Sequence, residues 1–268
     1  MTDFHDFKGA AVQMDDYDLP RIGHIIGVGE DPLHAILDVE SRGEGFRKDG
    51  RPVLLREEHY FFRLLKDKPV LQKRAVDHGL AWPVWRRNYP ADSYTWLRDA
   101  VKIDESAAIM SCSWGLGQIM GANFGMCGYK SPQDFVFSMM ADEANHLEAM
   151  VRFIIASGID DEMRALDAAK TREQALAIAR VIARIYNGPQ YEKNRYHERI
   201  VDRLWWWRGK PDTPWSPEIA KKEQADADMV NEIKDNVEAT VTHPEPEPVP
   251  EPQPEKLTIW QRLWRYLF

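Results

Sequence analysis

The sequence predicts a mainly helical fold with a single small β-hairpin. Three observations carry this prediction. Over roughly residues 18–207, apolar positions recur largely at three- and four-residue spacing, the period of a helix with one buried face. Side chains and glycines that start and stop helices punctuate the same stretch. One segment, FRKDGRPVLL at 46–55, instead carries an Asp-Gly pair, whose two positions favour positive φ and close a hairpin.

Taken in order, Asp31-Pro32 is the first clear helix start: a capping side chain, then a proline where no N–H is needed. Leu33, Ile36, Leu37 and Glu40 follow at helical spacing, with Gly43 beyond as a stop. Asp49-Gly50 turns the hairpin. Helices are expected over 57–66, over a long stretch 93–109, and from Ser131-Pro132 to Gly158. Thr171 with Gln174 forms a capping box for a helix that ends at Tyr186, where Gly188-Pro189 stops it. The last helix is expected over 190–207. Pro211, Pro214 and Pro217 then break the chain, and HPEPEPVPEPQPE places Pro at every second position from 244 to 254. Such a stretch makes an extended, solvated spacer. The predicted organisation is a 1–17 extension, a folded domain over 18–210, a linker over 211–255 and a tail over 256–268.

Composition narrows the function. A net charge of −8 argues against general nucleic-acid binding, which needs a basic surface. The chain has two cysteines and no C-x-x-C pair, so the expectation is two unpaired core thiols, with one disulfide as the other reading. The first residues are acidic and polar, unlike a secretion signal, and no run of about 18 apolar residues occurs to span a bilayer. Synthesis in the cytoplasm without a signal peptide is the expectation.

Glu40 shares its helical stripe with Leu33, Ile36 and Leu37, and Glu57 relates in the same way to Phe61 and Leu64. Two carboxylates therefore sit at the edges of apolar faces on either side of the hairpin. Partial withdrawal from water raises a carboxyl pKa and lets it hold a proton near neutrality, as a general acid for glycoside cleavage requires. The plainer reading is that Glu40 ends its helix or pairs with Arg42 and that Glu57 is a helix-start acid; from spacing alone it is the stronger. Two further stretches favour the chemical reading. Ser113-Trp114-Gly115-Leu116-Gly117-Gln118-Ile119 is rich in glycine, which lets backbone approach a ligand. Tyr186-Asn187-Gly188 ends a helix with a hydroxyl and an amide, groups that read sugars. Each alone is weak, since one suits a tight turn and the other a helix stop.

The ordered set is more specific. Glu-Ser, then Gly-Leu-x-Gln-Ile, then Tyr-Asn-Gly is similar to the motif order of the lysozyme-like superfamily, notably goose-type lysozymes and lytic transglycosylases. The blocks VESRGEGFRKDGRPVLLREEHYFFRLL, SCSWGLGQIMGANFGMCGY and RIYNGPQYEKNRYHERI resemble the N-acetylmuramidase family of phage endolysins and prophage lysis cassettes, over roughly 18–207. This chain departs from the family pattern at Arg56, where Phe is usual, at Glu58, where Arg is usual, and at Gly117, where Phe is common.

The resemblance implies a lysozyme-like fold of two helical lobes around a cleft, with 18–210 as the catalytic domain. It also implies hydrolysis of the β-1,4 bond between N-acetylmuramic acid and N-acetylglucosamine. Products with 1,6-anhydro ends, or envelope binding without catalysis, are the alternatives. Glu40 matches the catalytic glutamate, the general acid. Glu57 or Asp49 is the candidate second carboxylate: Asp49 follows Glu40 by nine positions, as in phage-type lysozymes, yet suffices as a turn residue, and goose-like relatives can work with one carboxylate. Ser41, Trp114, Gly115, Gly117, Gln118, Ile119, Tyr186 and Asn187 would line the sugar subsites. His59 has no metal-like spacing and reads as a packing or Glu-orienting residue, so neither metal nor cofactor is expected. The implied setting is a monomer that acts on periplasmic peptidoglycan.

KLTIWQRLWRYLF, at 256–268, places its aromatic and aliphatic residues mostly on one face beside Lys256, Arg262 and Arg265. That pattern suits an interfacial helix at a membrane or lipopolysaccharide, or docking on protein. Trp205-Trp206-Trp207 either closes the core or stacks on sugar, and core closure is the stronger reading.

Overall fold

Eleven α-helices and a three-stranded antiparallel sheet form among the described residues, 6–86, 92–216 and 218, of this computed structural model. The fold is mainly helical, as the sequence predicts. No helix among these residues is long and apolar enough to cross a membrane. Residues 1–215 make one unit; the predicted spacer and tail lie outside the described residues.

Helix α1 (Asp18–Ile26) stops at Gly27, whose left-handed φ of 73° returns its N–H to the last turn. Helix α2 (Glu30–Glu40) begins just before the expected start, and Gly29 rather than Asp31 stands at its N-cap. The Gly29 N–H donates to Asp167 Oδ2 at 2.8 Å, so a carboxylate distant in sequence does the work of a local cap. The α2 stripe of Leu33, Ile36 and Leu37 is fully buried. Helices α3 (Glu58–Leu64) and α4 (Pro69–Asp77) follow.

Two of the longer predicted helices are each divided. The 93–109 stretch forms α5 (Ser93–Val101) and α6 (Glu105–Met110), because Asp104 turns extended and its carboxylate accepts from the Ala107 N–H. The stretch from Ser131 forms α7 (Pro132–Ala141) and α8 (Glu143–Ala156), broken at Asp142, which caps the Asn145 N–H. The N-terminal segment occupies that break: Val12 N–H donates to Ala141 O at 3.0 Å, and Glu143 N–H donates to Val12 O at 2.9 Å. Apolar period continues through both breaks, so periodicity could not reveal them. Helix α9 (Asp160–Ala168) precedes α10 (Arg172–Tyr186), which has the predicted Thr171/Gln174 capping box. Helix α11 (Tyr196–Trp207) begins after a run of turns, later than expected, behind Arg195 at φ 52°.

The predicted hairpin is reduced to its turn. Gly50 takes φ 79° and donates to Arg47 O at 2.9 Å, with one bridge between Phe46 and Pro52. The sheet instead joins β1 (Leu54–Arg56), β2 (Cys112–Trp114) and β3 (Ile119–Met120) in that order. The glycine-rich stretch is thus the β2–β3 turn.

Cys112 and Cys127 are free and buried, as expected. The tryptophan run divides its roles. Trp205 packs against the core, Trp207 stacks on His34 at 3.7 Å between centroids, and Trp206 is exposed. The first two departures from the family pattern belong to one feature. Arg56 Nη2 lies 3.2 Å from Glu58 Oε1, both side chains are buried, and Arg86 pairs with the second oxygen of Glu58. A cation in place of an apolar residue at 56 is matched by an anion in place of a cation at 58.

Candidate active site

Glu40 is the last residue of α2, and its position follows from how the helix stops. Ser41 N–H and Ser41 Oγ both bond to Leu37 O, and Arg42 (φ 60°) and Gly43 (φ 77°) then turn the chain toward the Asp49-Gly50 loop. A carboxylate at a helix C-terminus faces unpaired carbonyls, which disfavour its negative charge. Glu40 is also half-buried, and burial is the largest cause raising its pKa from 4.5 to about 7. Two groups oppose that rise. The Tyr196 hydroxyl, from the first turn of α11, donates to Glu40 Oε1, and the Arg199 guanidinium adds positive charge nearby.

Tyr196 is buried, and burial together with the Glu40 charge holds its phenol protonated well above the usual range. Tyr186, at the end of α10, is shifted in the same direction by burial and by Glu40. Its hydroxyl donates to Gly117 O at 2.7 Å, which ties α10 to the β2–β3 turn. A Cβ at position 117 would lie 3.1 Å from that hydroxyl and 3.0 Å from Met150 Cβ, so the third family departure makes room for the Tyr186 contact.

The turn and the loop after Glu40 are pinned from beneath by α8. His146 Nδ1 accepts from Leu116 N–H at 3.2 Å and its Nε2 contacts Met139 O at 2.6 Å, so the network assigns the Nε2–H tautomer. Burial lowers its pKa to about 4, which keeps the ring neutral. Gly115 takes φ 68°, and a Cβ there would lie 2.7 Å from the His146 ring. Glu143 accepts from Gly45 N–H at 2.8 Å and from Met14 N–H at 3.0 Å.

The structure therefore brings together Glu40, Tyr186 and Gly117 among the residues expected from sequence. Gln118 sits at φ 48° and uses its amide to donate to Gly115 O at 2.8 Å, within the turn. Asn187 caps α10 and is exposed; Ser41 is half-buried. Trp114 and Ile119 are different: both side chains are buried in the core, and Trp114 Nε1 donates to Ile109 O at 3.2 Å. Neither offers a face to a sugar. Asp49 stands in ionic pairings of its own, and Glu57 lies beside His59, whose pKa burial lowers. Asp49 lies 3.4 Å from Arg51 and 3.7 Å from Arg47, and Glu57 Oε2 lies 3.2 Å from His59 Nδ1.

Sequence reasoning missed Tyr196, Arg199, Glu143 and His146. Tyr196 lies inside a block that was singled out, but nothing local separates it from Tyr191. Glu143 and His146, three apart on an apolar helix, were the available signal for a buried polar clamp.

Chemically, a neutral Glu40 accepts the Tyr196 hydrogen at Oε1 and holds its own proton on the other oxygen. When it gives that proton away, the resulting carboxylate is met by the same hydroxyl and by Arg199. Such a carboxyl can hold and give up a proton near neutral pH.

Comparison with known proteins places the chain in a family. The model of the N-acetylmuramidase family matches residues 30–205. Among solved structures, a Burkholderia AP3 phage endolysin is 30% identical with a TM-score of 0.61, over 74% of this chain and 73% of that one. No curated protein matches.

Proposed function

We propose that this chain, which belongs to the N-acetylmuramidase family, breaks the β-1,4 bond between N-acetylmuramic acid and N-acetylglucosamine with Glu40 as general acid. The chain is a peptidoglycan hydrolase. The observation that carries the Glu40 assignment is a half-buried carboxyl, its pKa near 7, bonded to a buried phenol. Glu40 protonates the leaving glycosidic oxygen as positive charge develops on the muramic ring, help worth about 10²–10⁴-fold. Water then completes a lysozyme-type hydrolysis. Of the two candidates to assist that water, Glu57 is favoured: its near neighbour is His59, whose pKa burial lowers, whereas Asp49 serves the turn arginines. Mass spectrometry of muropeptides from purified sacculi tests the reading. Reducing muramic ends are expected; 1,6-anhydro ends would mean a transglycosylase, and absence of soluble products would reject catalysis.

The setting that goes with this reading is an endolysin, made in the host cytoplasm and acting as a monomer on periplasmic peptidoglycan. Segment 256–268 would contact membrane or lipopolysaccharide. Deleting residues 244–268 is then expected to reduce lysis of intact cells while digestion of purified sacculi is kept; an equal loss in both assays would reject the envelope role.

Tyr196 sets the working pH. Its hydrogen bond lowers the Glu40 pKa, so Tyr196→Phe removes a lowering influence and raises that pKa. Activity needs protonated Glu40 and falls as pH rises through its pKa. The alkaline limb of kcat/KM should therefore move up by about half to one pH unit, with kcat lowered about three- to tenfold. A pH-rate profile unmoved by the substitution would contradict the assignment.

A further inference from the structure

The seam between α2 and α11, the helix that supplies the Tyr196 partner of Glu40, opens into a groove of about 490 Å³. Arg42, Arg199 and Arg203 line it together with Trp206 and Trp207. Two carboxylates share the lining, and both are already engaged. Asp38 accepts from Trp207 Nε1 at 2.9 Å and lies 3.7 Å from Arg203 Nε, while Asp202 pairs with Arg172 outside the groove. Arg42 is exposed and meets no carboxylate among the described residues. Trp206 is 47% exposed, which leaves indole surface open, and Lys210 Nζ lies 4.6 Å from its ring centre. Three guanidinium groups meet two carboxylates in this lining, so the groove is a net cationic and aromatic surface.

Its position ties it to the chemistry. Arg199 lines the groove, donates to Val39 O at 3.0 Å and acts electrostatically on Glu40. Positions 199, 203 and 206 share one face of α11, so the lining runs roughly 10 Å away from the Glu40 end.

We infer that this groove holds the peptide stem carried by N-acetylmuramic acid. The stem's carboxylates lie on Arg42 and Arg203, and its aliphatic part on Trp206. This inference rests on the Glu40 reading above. The glycosidic oxygen must come within about 3 Å of the Glu40 carboxyl for proton transfer. The lactyl ether of the same sugar therefore projects its peptide from beside Glu40, and a carboxylate-bearing chain meets guanidinium groups suited to bidentate pairing.

The test compares wild type with Arg42→Gln/Arg203→Gln and with Arg203→Gln alone. The substrates are peptide-bearing glycan strands, strands stripped of peptide by an amidase, and strands whose stem carboxylates have been converted to amides. On peptide-bearing strands the double variant should raise KM about five- to tenfold with kcat held, and Arg203→Gln should give part of that rise. On stripped strands the variants and wild type should agree, and on amidated strands wild type should show the variant's KM. The same loss on stripped as on peptide-bearing strands, or no KM change on either, overturns the inference while the Glu40 reading stands. Wild type inert on every substrate would remove the Glu40 reading itself.

Discussion

Glu40→Gln is expected to lower kcat on sacculi by about 10²–10⁴ at neutral pH and, at the same time, to stabilise the protein above pH 7. The amide oxygen still accepts from Tyr196, so the local packing survives, but no proton remains to be given to the leaving oxygen. The stability change follows from linkage. In the unfolded chain this carboxyl titrates at its ordinary value of 4.5, and in the fold at about 7. Between those values the native state holds a proton that the unfolded chain has released, so stability falls as pH rises from 4.5 to 7. Above 7 the full cost is present, at most about 3 kcal/mol from the size of the shift, and Gln does not bear it. Denaturant melts at pH 5 and pH 8 check this: the advantage of the variant should be much larger at pH 8. An advantage that does not change with pH, or a variant that digests sacculi at the wild-type rate, would remove Glu40 from its assigned role.

Glu58→Ala should be the most damaging substitution among the buried charges. Arg56 is 1% exposed and Glu58 2%, and Arg86 closes the second oxygen of Glu58. Arg56 also donates to Asp92 O at 3.2 Å and lies 5.8 Å from the Trp96 ring centre. Removing Glu58 takes away the carboxylate that Arg56 and Arg86 share, a loss of about 3–5 kcal/mol. For a domain of this size the melting temperature should drop by roughly 6–20 °C. Replacing the whole pair, Arg56→Leu with Glu58→Leu, should recover most of that, because desolvating two charges offsets much of what their attraction contributes. A double variant no better than Glu58→Ala in guanidinium melts would show that the pair is not coupled in this way.

What the sequence determined on its own is local. The α2 stripe ending on Glu40, the Thr171/Gln174 box, the Asp49-Gly50 turn and the predominance of helix all depend on residues within one or two turns of each other, where spacing and capping chemistry act directly. Only the tertiary structure decided the rest. Strand β1 pairs with β2 across more than fifty residues, so the sheet could not be read from the hairpin that seemed to announce it. Trp114 looked like a sugar platform and is instead core, because the helices that cover it come from elsewhere in the chain. Burial raises the Glu40 pKa, and Tyr196, the partner that tempers the rise, lies 156 positions away. A pKa answers to burial and nearby charge in space, and periodicity along the chain records neither.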